Sequence, residues 1–329
     1  MTRVKLEDVA SAAGVSPTTV SRVLNNRGYI SDKTRKKVND AISELGYYPN
    51  EIARSLYISK SNIIGLLFPN VTNPFYGAMV TELERLLSHR GYKVLICNTD
   101  NNLTKESEHL KMLLANQVDG IIVGSRNTPS ELYKKTRLAI VSIDRMISDA
   151  VPNVRSDNYE GAKLAAEYLM AKNCKHVGLF IGSPPGEIER GDLRMRGFLD
   201  TISGDRNMSI CAVGFDESED YQRQMIEKYL TERSSIDGIF ATGDILAGMI
   251  RGISVKMGKK IEMVGYDGTK VFLNLCPEIC TIAQPIEDMA NVAVDTLMSM
   301  VDGEYDGLKE EYILPVEFVG KRITCQLFQ

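Results

Sequence analysis

Short apolar runs alternate with helical segments along most of the chain, and this alternation limits the possible folds more than any other feature of the sequence. The strand-like runs are IIGLLF (63–68), KVLICN (93–98), GIIVG (120–124), LAIVSID (138–144), HVGLFIG (176–182), SICAVGF (209–215), GIFAT (238–242) and IEMVGY (261–266). The helical segments are 74–91, 104–117, 130–136, 187–203, 217–233 and 244–257. Strands that alternate with helices form parallel, doubly wound sheets, and two such series predict two lobes.

Polar and aromatic residues follow several of these predicted strands. They are Asn73, Phe75, Arg126, Asp144, Arg145, Arg190, Arg194, Asp244 and Asp267. Ligands of open parallel sheets bind beyond the carboxyl ends of the strands, and a cleft between two lobes can close around a small molecule. Each residue alone leaves two interpretations open, because an aspartate can cap the next helix and an arginine can lie on a solvated face. Together, the carboxylates, guanidinium groups and aromatic ring indicate a site for a polyhydroxyl ligand.

The first 45 residues predict three helices joined by short turns. The segments are LEDVASAA (6–13), PTTVSRVLN (17–25) and SDKTRKKVNDAISEL (31–45). Gly14 breaks the first helix, Ser16 is an N-cap residue for the second, and Pro17 occupies its first helical position. A helix, a three-residue turn, a second helix and a packing helix form the layout of a helix-turn-helix unit.

Polar residues cluster along one side of the second helix. They are Thr18, Ser21, Arg22 and Asn25, whereas Val20, Val23 and Leu24 are expected to face inward. A generic three-helix bundle would not require these exposed small polar residues. Hydroxyl and amide groups suit phosphate oxygens, and Thr18 and Arg22 are placed to reach base edges in a major groove. The pattern therefore predicts a DNA-binding helix.

The charge distribution agrees with a polyanionic partner for the first domain alone. Residues 1–60 contain ten Lys and Arg against six Asp and Glu, a net charge of +4, whereas the rest of the chain has a net charge of −8. A basic head on an acidic body favours nucleic acid as the partner of the head, although a solvated basic face would have a similar composition.

The stretch YYPNEIARSL (47–56) contains a helical pattern that is too short to be stable by itself. Ile52, Ala53 and Leu56 share one side, but about seven residues is below the ~12–15 that an isolated helix needs in water. The segment is either a plain linker or a helix that forms only when two copies pack together on DNA, which would couple binding to folding.

The run GVSPTTVSRVLNNRGYIS (14–31), followed by TRKKVNDAISELGYYPNEIARSL (34–56), resembles the headpiece of the LacI/GalR family of bacterial transcriptional regulators. The resemblance implies that the helix from Pro17 is the recognition helix, with Pro17, Thr18 and Arg22 reading bases. It implies that Leu56 lies on a hinge helix and is wedged into the minor groove, where such a wedge kinks the duplex. The remaining expected DNA contacts are Leu6, Ser16, Thr19, Ser21, Asn25, Thr34, Asn50, Ala53 and Arg54.

The body is similar to the periplasmic sugar-binding proteins to which that family's regulatory domain is related. The similarity implies ring stacking for Phe75 in NPFY, ligand binding for Arg194 in RMRGF and Asp267 in VGYD, and a place near the lobe crossover for Gln284 in AQP. Gly243 stands where an asparagine is usual, so the ligand geometry there is left open. The stretches LANQVDGIIVG (114–124) and SIDRMISDAVPNVRSDNYEGAKLA (142–165) resemble the sucrose-operon repressors of the family.

The sequence therefore predicts an α/β protein with an N-terminal all-α helix-turn-helix headpiece and a two-lobed, periplasmic-binding-protein-like body with doubly wound parallel sheets. The expected boundaries are 1–48 for the headpiece, 49–60 for the hinge helix and linker, and 61–329 for the body. Within the body, the N-lobe is expected to cover about 61–158 and 286–315, and the C-lobe about 159–285 and 316–329.

Enzymatic function, a cofactor and a metal site are not expected. The sequence contains no GxSxG, HExxH or GxxxxGK[ST] motif, and its three histidines have no partner acid–base set. The six cysteines are scattered without a CxxC pair, which favours reduced thiols. The apolar runs are far shorter than the ~20 residues of a membrane span, and the N-terminus lacks the apolar region of a signal peptide. We therefore expect a cytoplasmic, nucleoid-associated bacterial protein with no membrane partner.

A homodimer is expected because a two-fold dimer matches a palindromic operator. Helices over 74–90 and 286–301 have apolar stripes that fit either a lobe interface or the core of each protomer. The functional hypothesis is a repressor of a carbohydrate-utilisation operon, released from its operator when a sugar of the sucrose or fructose type closes the cleft. A corepressor-dependent or global regulator, an architectural DNA-binding protein, and a ligand-binding protein without a regulatory role are the alternatives.

Overall fold

The computed structural model of the protein describes residues 4–48, 60–124, 133, 136, 138–182, 192–214 and 217–320. It divides into two compact units, Met1–Asn62 and Ile63–Gln329, which are called here the headpiece and the body. The predicted hinge helix over 50–56 lies outside the described residues, as do most of the predicted helix over 130–136 and the first part of the one over 187–203.

The headpiece consists of α1 (Leu6–Ala13), α2 (Pro17–Leu24) and α3 (Asp32–Leu45). Gly14 ends α1 with a left-handed φ of 67°, a conformation that glycine adopts without steric cost. Ser16 caps α2 by accepting a hydrogen bond from the Thr19 amide at 3.2 Å, and Ser31 caps α3 by accepting one from the Thr34 amide at 3.3 Å. The three predicted helices are thus confirmed, with α2 one residue shorter and Ser31 outside α3 as its cap.

Apolar side chains of the three helices, together with Tyr47 just after α3, form the headpiece core. They are Val9, Ala10, Ala13, Val20, Val23, Val38, Ala41 and Tyr47. Val20 and Val23 are buried as predicted, whereas Leu24 is half-buried and packs against the edge of the core. Burial of this side of α2 leaves its opposite side facing solvent.

The body is built from twelve described strands. They are β1 (Ile63–Phe68), β2 (Lys93–Asn98), β3 (Gly120–Val123), β4 (Ala139–Ile143), β5 (Asn153–Ser156), β6 (His176–Ile181), β7 (Asn207–Ala212), β8 (Gly238–Ala241), β9 (Glu262–Asp267), β10 (Cys280–Ala283), β11 (Glu311–Leu314) and β12 (Glu317–Val319). The N-lobe sheet has the order β11-β5-β4-β3-β1-β2 with parallel pairing, and the C-lobe sheet has the order β12-β10-β9-β8-β6-β7, in which β12 is antiparallel to β10. The predicted two-lobed α/β fold class is confirmed.

Helices cover both faces of each sheet. They are α4 (Pro74–His89), α5 (Leu103–Ala115), α6 (Asn158–Ala171), α7 (Leu193–Thr201), α8 (Glu219–Glu232), α9 (Asp244–Lys256), α10 (Lys270–Leu275) and α11 (Ile286–Val301). In the N-lobe, α4 and α11 pack on one face and α5 on the other. In the C-lobe, α6 and α7 pack on one face and α8, α9 and α10 on the other. The apolar stripes of α4 and α11 therefore face the core of their own lobe.

Three chain crossovers connect the lobes: β5 to α6, β10 to α11, and β11 to β12. The amide of Asp157 donates to the carbonyl oxygen of Leu314 at 2.8 Å, which joins the first crossover to the third. The hydroxyl of Ser156 donates to Oε1 of Gln284 at 2.8 Å, which joins the first crossover to the second. The crossovers are therefore tied together by hydrogen bonds.

Several elements beside the crossovers were not predicted, namely β5, α6, α10, β10, β11 and β12. β5 is only four residues long and reads NVRS, without a clear apolar run. The predicted strand over 209–215 is shifted, because β7 begins at the polar Asn207 and ends at Ala212. Short strands whose partners are distant in sequence carry little local signal.

Glu311 and Arg155 pair two of these unpredicted strands. Nε and Nη2 of Arg155 donate to Oε1 and Oε2 of Glu311 at 2.6 and 3.0 Å. This hydrogen bonding lowers the pKa of Glu311 below its ordinary value of 4.5. Because the pKa is lower in the folded state, the charged carboxylate stabilises the fold above about pH 4.5, and this stabilisation is lost as the pH falls through the folded pKa.

Replacing Glu311 by glutamine should lower the free energy of unfolding by about 1 kcal/mol at about pH 7, because it removes a charge-assisted pair. The difference from the wild type should shrink at about pH 3, where the wild-type carboxyl is increasingly protonated. Urea unfolding of the wild type, Glu311→Gln and the exposed neighbour variant Glu310→Gln at both pH values measures this. An equal loss for Glu311→Gln at both pH values would contradict the prediction.

Candidate DNA-binding surface and effector cleft

The side of α2 that faces away from the headpiece core is polar and solvent-accessible. Ser16, Pro17, Thr18 and Arg22 are exposed, and Thr19, Ser21 and Asn25 are half-buried. Ser16 is already the helix cap, so its position is fixed by the fold. The structure therefore gathers the predicted base-reading and phosphate-contacting residues of this helix on one surface.

Local hydrogen bonds hold several of these polar side chains. The amide nitrogen Nδ2 of Asn25 donates to the carbonyl oxygen of Ser21 at 2.9 Å, and the hydroxyls of Ser16 and Thr19 lie 2.9 Å apart. The hydroxyls of Thr34 and Ser31 likewise lie 2.9 Å apart. These contacts restrict side-chain rotation, which reduces the entropy lost when the surface meets a partner.

Other predicted contacts have different surroundings. Leu6 is half-buried and packs against the headpiece core, which makes it mainly a packing residue. The predicted DNA contacts Asn50, Ala53, Arg54 and Leu56 lie outside the described residues, and so do the predicted effector contacts Arg126 and Arg190.

Arg194, near the start of α7, is the centre of the cleft region. Its Nε donates to Oδ1 of Asn158 at 2.7 Å, and its Nη1 donates to the carbonyl oxygen of Thr242 at 2.8 Å. Its guanidinium carbon lies 3.8 Å from the centroid of the Tyr266 ring, in a stacked cation–π contact. Asn158, Thr242 and Tyr266 were not identified from the sequence as members of this site.

Two carboxylates that belong to different lobes face this guanidinium. Nη2 of Arg194 is 3.6 Å from Oδ1 of Asp144, at the end of β4 in the N-lobe, and Nη1 is 3.8 Å from Oδ1 of Asp267, at the end of β9 in the C-lobe. Burial would lower the pKa of Arg194, but Asp144, Tyr266 and Asp267 raise it above the ordinary value. Arg194 is therefore a fixed cation, and it brings both lobes together electrostatically.

Gln284 links Asp267 to the crossovers. Its Nε2 donates to Oδ1 of Asp267 at 2.8 Å, and its Oε1 accepts from Ser156. Nδ2 of Asn158 also approaches Oδ1 of Asp144 at 3.4 Å. A continuous polar network thus connects the predicted effector residues Asp144, Arg194, Asp267 and Gln284 with the crossovers between the lobes.

Asp244 lies in a different environment from the one its predicted role requires. It is the first residue of α9 and only 3% exposed, and its carboxylate accepts hydrogen bonds from the Thr281 hydroxyl at 2.6 Å and the Gly268 amide at 2.8 Å. Burial, and secondarily the charge of Asp267, raises the pKa of Asp244. Its oxygens are engaged inside the C-lobe.

Three further predicted effector residues are not joined to this network by any contact among the described residues. Phe75 is 4% exposed and belongs to the N-lobe core, where its ring centroid lies 5.4 Å from that of Tyr76. Asn73 caps α4 by accepting from the Phe75 amide at 2.9 Å. Arg145 is exposed next to Asp144. The structure thus gives Asn73 and Phe75 local structural roles.

Within the described residues, no group of three or more His, Cys, Asp and Glu side chains is arranged to hold a metal ion. Cys97, Cys174, Cys211, Cys276 and Cys280 are free thiols. No described helix is both long and apolar enough to cross a membrane.

A helix-turn-helix headpiece joined to a two-lobed ligand-binding body defines a class of regulatory proteins, and comparisons with known proteins agree with it. A family model described as bacterial regulatory proteins, lacI family, matches residues 5–50, and a periplasmic binding protein domain model matches residues 64–305. The chain is 39% identical over 316 residues to the sucrose operon repressor of Streptococcus mutans serotype c. The aligned residues cover 95% of this chain and 97% of that protein. The chain belongs to the LacI family of bacterial regulatory proteins.

Other relatives extend this result. The ribose operon repressor of Bacillus subtilis (strain 168) is 34% identical over 325 residues, which cover 97% of this chain and 98% of that protein. The crystal structure of the lac repressor dimer bound to operator and the anti-inducer ONPF matches with a TM-score of 0.81 at 25% identity, covering 97% of this chain and 98% of that one. The similarity therefore spans both the headpiece and the body.

Replacing Arg194 by methionine should lower the free energy of unfolding of the body by about 3 kcal/mol, because it removes a cation that faces two half-buried carboxylates and that is hydrogen-bonded to Asn158 and Thr242. Adding Asp144→Asn to Arg194→Met should recover part of this loss. Denaturant unfolding of both variants measures the effect, and Arg196→Met, at an exposed position of the same helix, is the matched control. Arg194→Met and Arg196→Met of equal stability would show that the cluster is not coupled as described.

Proposed function

We propose that the protein is a sequence-specific transcriptional repressor of a carbohydrate-utilisation operon, which leaves a palindromic operator when a sugar closes the cleft. The observation that carries this proposal is the network around Arg194, in which one guanidinium faces carboxylates of both lobes in a chain that also has an exposed recognition-type helix. The sucrose operon and ribose operon repressors among its relatives support a sugar as the effector.

The exposed face of α2 is suited to reading DNA. Thr18 and Arg22 project from the helix as base-reading residues, and an arginine can donate two hydrogen bonds to O6 and N7 of guanine. The +4 charge of residues 1–60 adds attraction to the phosphate backbone, which provides affinity without sequence preference. Specificity therefore depends on a few side chains, and affinity on the charge of the whole headpiece.

The hinge over residues 49–60 couples the two units in this proposal. Its helical pattern of about seven residues is too short to persist alone, so it forms when two copies meet on the operator. Leu56 is the proposed wedge in the minor groove, with Asn50, Ala53 and Arg54 beside it. A change in the separation of the two bodies would then decide whether the hinge helices can form.

A neutral sugar meets suitable groups in the cleft. The 3.6 and 3.8 Å separations between Arg194 and the two aspartates are longer than the 2.7–2.9 Å typical of charge-assisted hydrogen bonds. Hydroxyl groups of a sugar can donate hydrogen bonds to Asp144 and Asp267 and accept one from Arg194. A bound sugar can therefore give each of these three side chains a hydrogen bond of normal length. A sucrose- or fructose-type sugar is the proposed effector, in line with the sucrose operon repressors among the relatives.

The proposed homodimer uses apolar side chains that the body leaves exposed. In the C-lobe they are Val255 at the end of α9 together with Val271 and Leu275 on α10, which are 55%, 56% and 75% exposed. In the N-lobe, Leu95 and Ile96 on the edge strand β2 are 37% and 45% exposed. Exposed apolar groups on both lobes are suited to an interface that would respond to a change in the angle between the lobes.

The proposed location of the protein is the bacterial cytoplasm, on the nucleoid.

Replacing Arg22 by alanine should reduce binding to the operator by tenfold or more, because one bidentate base contact is worth about 1–3 kcal/mol. Binding to unrelated DNA should change much less. Fluorescence anisotropy on both duplexes at one salt concentration measures the ratio, and Arg85→Ala, an exposed arginine on α4 of the body, is the charge-matched control. An equal loss on both duplexes would remove Arg22 from the base-reading set.

A sugar panel titrated into the protein–operator complex tests the effector. We expect sucrose, fructose or one of their phosphates to weaken operator binding by about 5- to 150-fold, the usual range of allosteric coupling. Asp144→Asn should keep operator affinity and lose much of the response. A response to ribose alone would make the sucrose or fructose assignment wrong, tighter operator binding would favour the corepressor alternative, and no response to any sugar would reject a sugar effector.

A further inference from the structure

The buried carboxylate of Asp244 holds the turn that follows β9. Its Oδ2 accepts from the backbone amide of Gly268 at 2.8 Å. The backbone amide of Thr269 also favours the charged form of this carboxyl group and so lowers its pKa, against the larger effect of burial. Oδ1 of Asp244 accepts from the hydroxyl of Thr281, on the neighbouring strand β10, at 2.6 Å. Asp244 therefore joins the start of α9, the turn after β9 and the middle of β10.

Two glycines near Asp244 leave room for its carboxylate. A Cβ atom at Gly265, on β9, would lie only 2.4 Å from Oδ1 of Asp244, which is closer than real contacts allow. Gly268 is similarly restricted, because a Cβ there would lie 2.3 Å from the Cα of Ala283, and its φ is 64°. Glycine at both positions allows the turn to lie close to Asp244 and β10.

The residue immediately before Gly268 is Asp267, whose backbone is strained. Its φ is 124°, a conformation that residues with a side chain rarely adopt. The side chain of Asp267 is held by Gln284 at 2.8 Å and faces Arg194 at 3.8 Å. A strained residue persists only where its surroundings enforce the conformation. On one side the Gln284 amide donates to the carbonyl oxygen of Asp267 at 3.1 Å, and on the other Asp244 holds the amide of the next residue, Gly268.

We propose that Asp244 is a positioning residue of the cleft, which fixes the turn from Asp267 to Thr269 so that the carboxylate of Asp267 faces Arg194 and the effector. Asp244 does not touch the effector itself, since its oxygens are engaged by Thr281, Gly268 and Thr269 at 3% exposure. This assignment rests on the proposed function for the nature of the effector, whereas the effect on the turn is independent of it.

Amide hydrogen exchange of the unliganded full-length protein tests the effect on the turn. In Asp244→Ala, the amides of Gly268 and Thr269 should exchange at least about tenfold faster, because they lose their interactions with the buried Asp244 carboxyl group. Peptides from β6 and β8 should be unchanged. Asp244→Asn keeps an acceptor for the Gly268 amide and should retain most of the protection. Glu219→Ala, which removes the exposed acid at the first position of α8, is the matched control and should have no effect on this turn.

Calorimetric titration with fructose tests the consequence for binding. Asp244→Ala should weaken fructose binding by about tenfold or more in the wild-type background, but by less than about twofold when Asp267→Asn is already present, because both changes act through the same carboxylate. Asp244→Asn should bind nearly as well as the wild type. If Asp244→Ala does not fold, Thr281→Val, which removes one anchor of the carboxylate, takes its place with the same expected pattern.

The outcomes separate the two claims. Unchanged exchange at Gly268 and Thr269 in Asp244→Ala would overturn the positioning role. A loss of fructose affinity that persists in full in the Asp267→Asn background would also overturn it, since Asp244 would then act on the ligand directly. If the wild type does not bind fructose, fructose fails as the effector, while the exchange experiment still decides whether Asp244 fixes the turn.

Discussion

The contact of one largely buried arginine, whose side chain is 11% exposed, with carboxylates of two lobes is the interaction on which the body depends. Arg194 is supplied by the C-lobe, and it faces Asp144 of the N-lobe and Asp267 of its own lobe. A buried guanidinium requires counter-charges and hydrogen-bond acceptors, because desolvation without them is costly. The two lobes provide these groups together, so the charge balance of the cleft depends on their relative position.

The crossovers determine how a change in the contacts of Arg194 can alter the angle between the lobes. Because Gln284 contacts both Asp267 and Ser156, hydrogen bonds link the turn after β9 to two of the three crossovers. The backbone contact between Asp157 and Leu314 includes the third. A ligand shifts the angle between the lobes only by the difference in its affinity for the two arrangements. Residues that contact both the ligand-binding region and the crossovers can make the affinity for the ligand differ between the two lobe arrangements.

Local signals were sufficient to predict the elements that end in defined caps or contain continuous apolar runs. Ser16, Gly14 and Ser31 mark the headpiece helices because capping is a contact between near neighbours in the chain. β5 and β11 pair with each other across 158 positions of the sequence, and each is only four residues long, so neither carries a strong local pattern.

The cleft was predictable in its residue types but not in the directions of its side chains. Asp144, Arg194 and Asp267 follow strands, and the topology brings such positions to one edge of each sheet. Asn158 and the carbonyl oxygen of Thr242 complete the surroundings of Arg194, and neither a helix-start asparagine nor a backbone carbonyl has a recognisable pattern. Asp244 also follows a strand, yet its carboxylate is turned into the C-lobe, because Gly265 and Gly268 leave room for it there.

Strain in the backbone connects the stability of the cleft to its selectivity. Both aspartates that face Arg194 have positive φ values, 69° for Asp144 and 124° for Asp267, and such conformations cost on the order of 1–3 kcal/mol each. Contacts with Arg194, Asn158 and Gln284 have to offset that cost in the free protein. A ligand that takes over part of these contacts must hold both carboxylates in the same strained conformations, since the alternative is to release them and lose the lobe arrangement. Under the proposed function, the cleft would therefore favour a ligand that bonds to both aspartates and the arginine simultaneously, as a small polyhydroxyl molecule can and a ligand with a single polar group cannot.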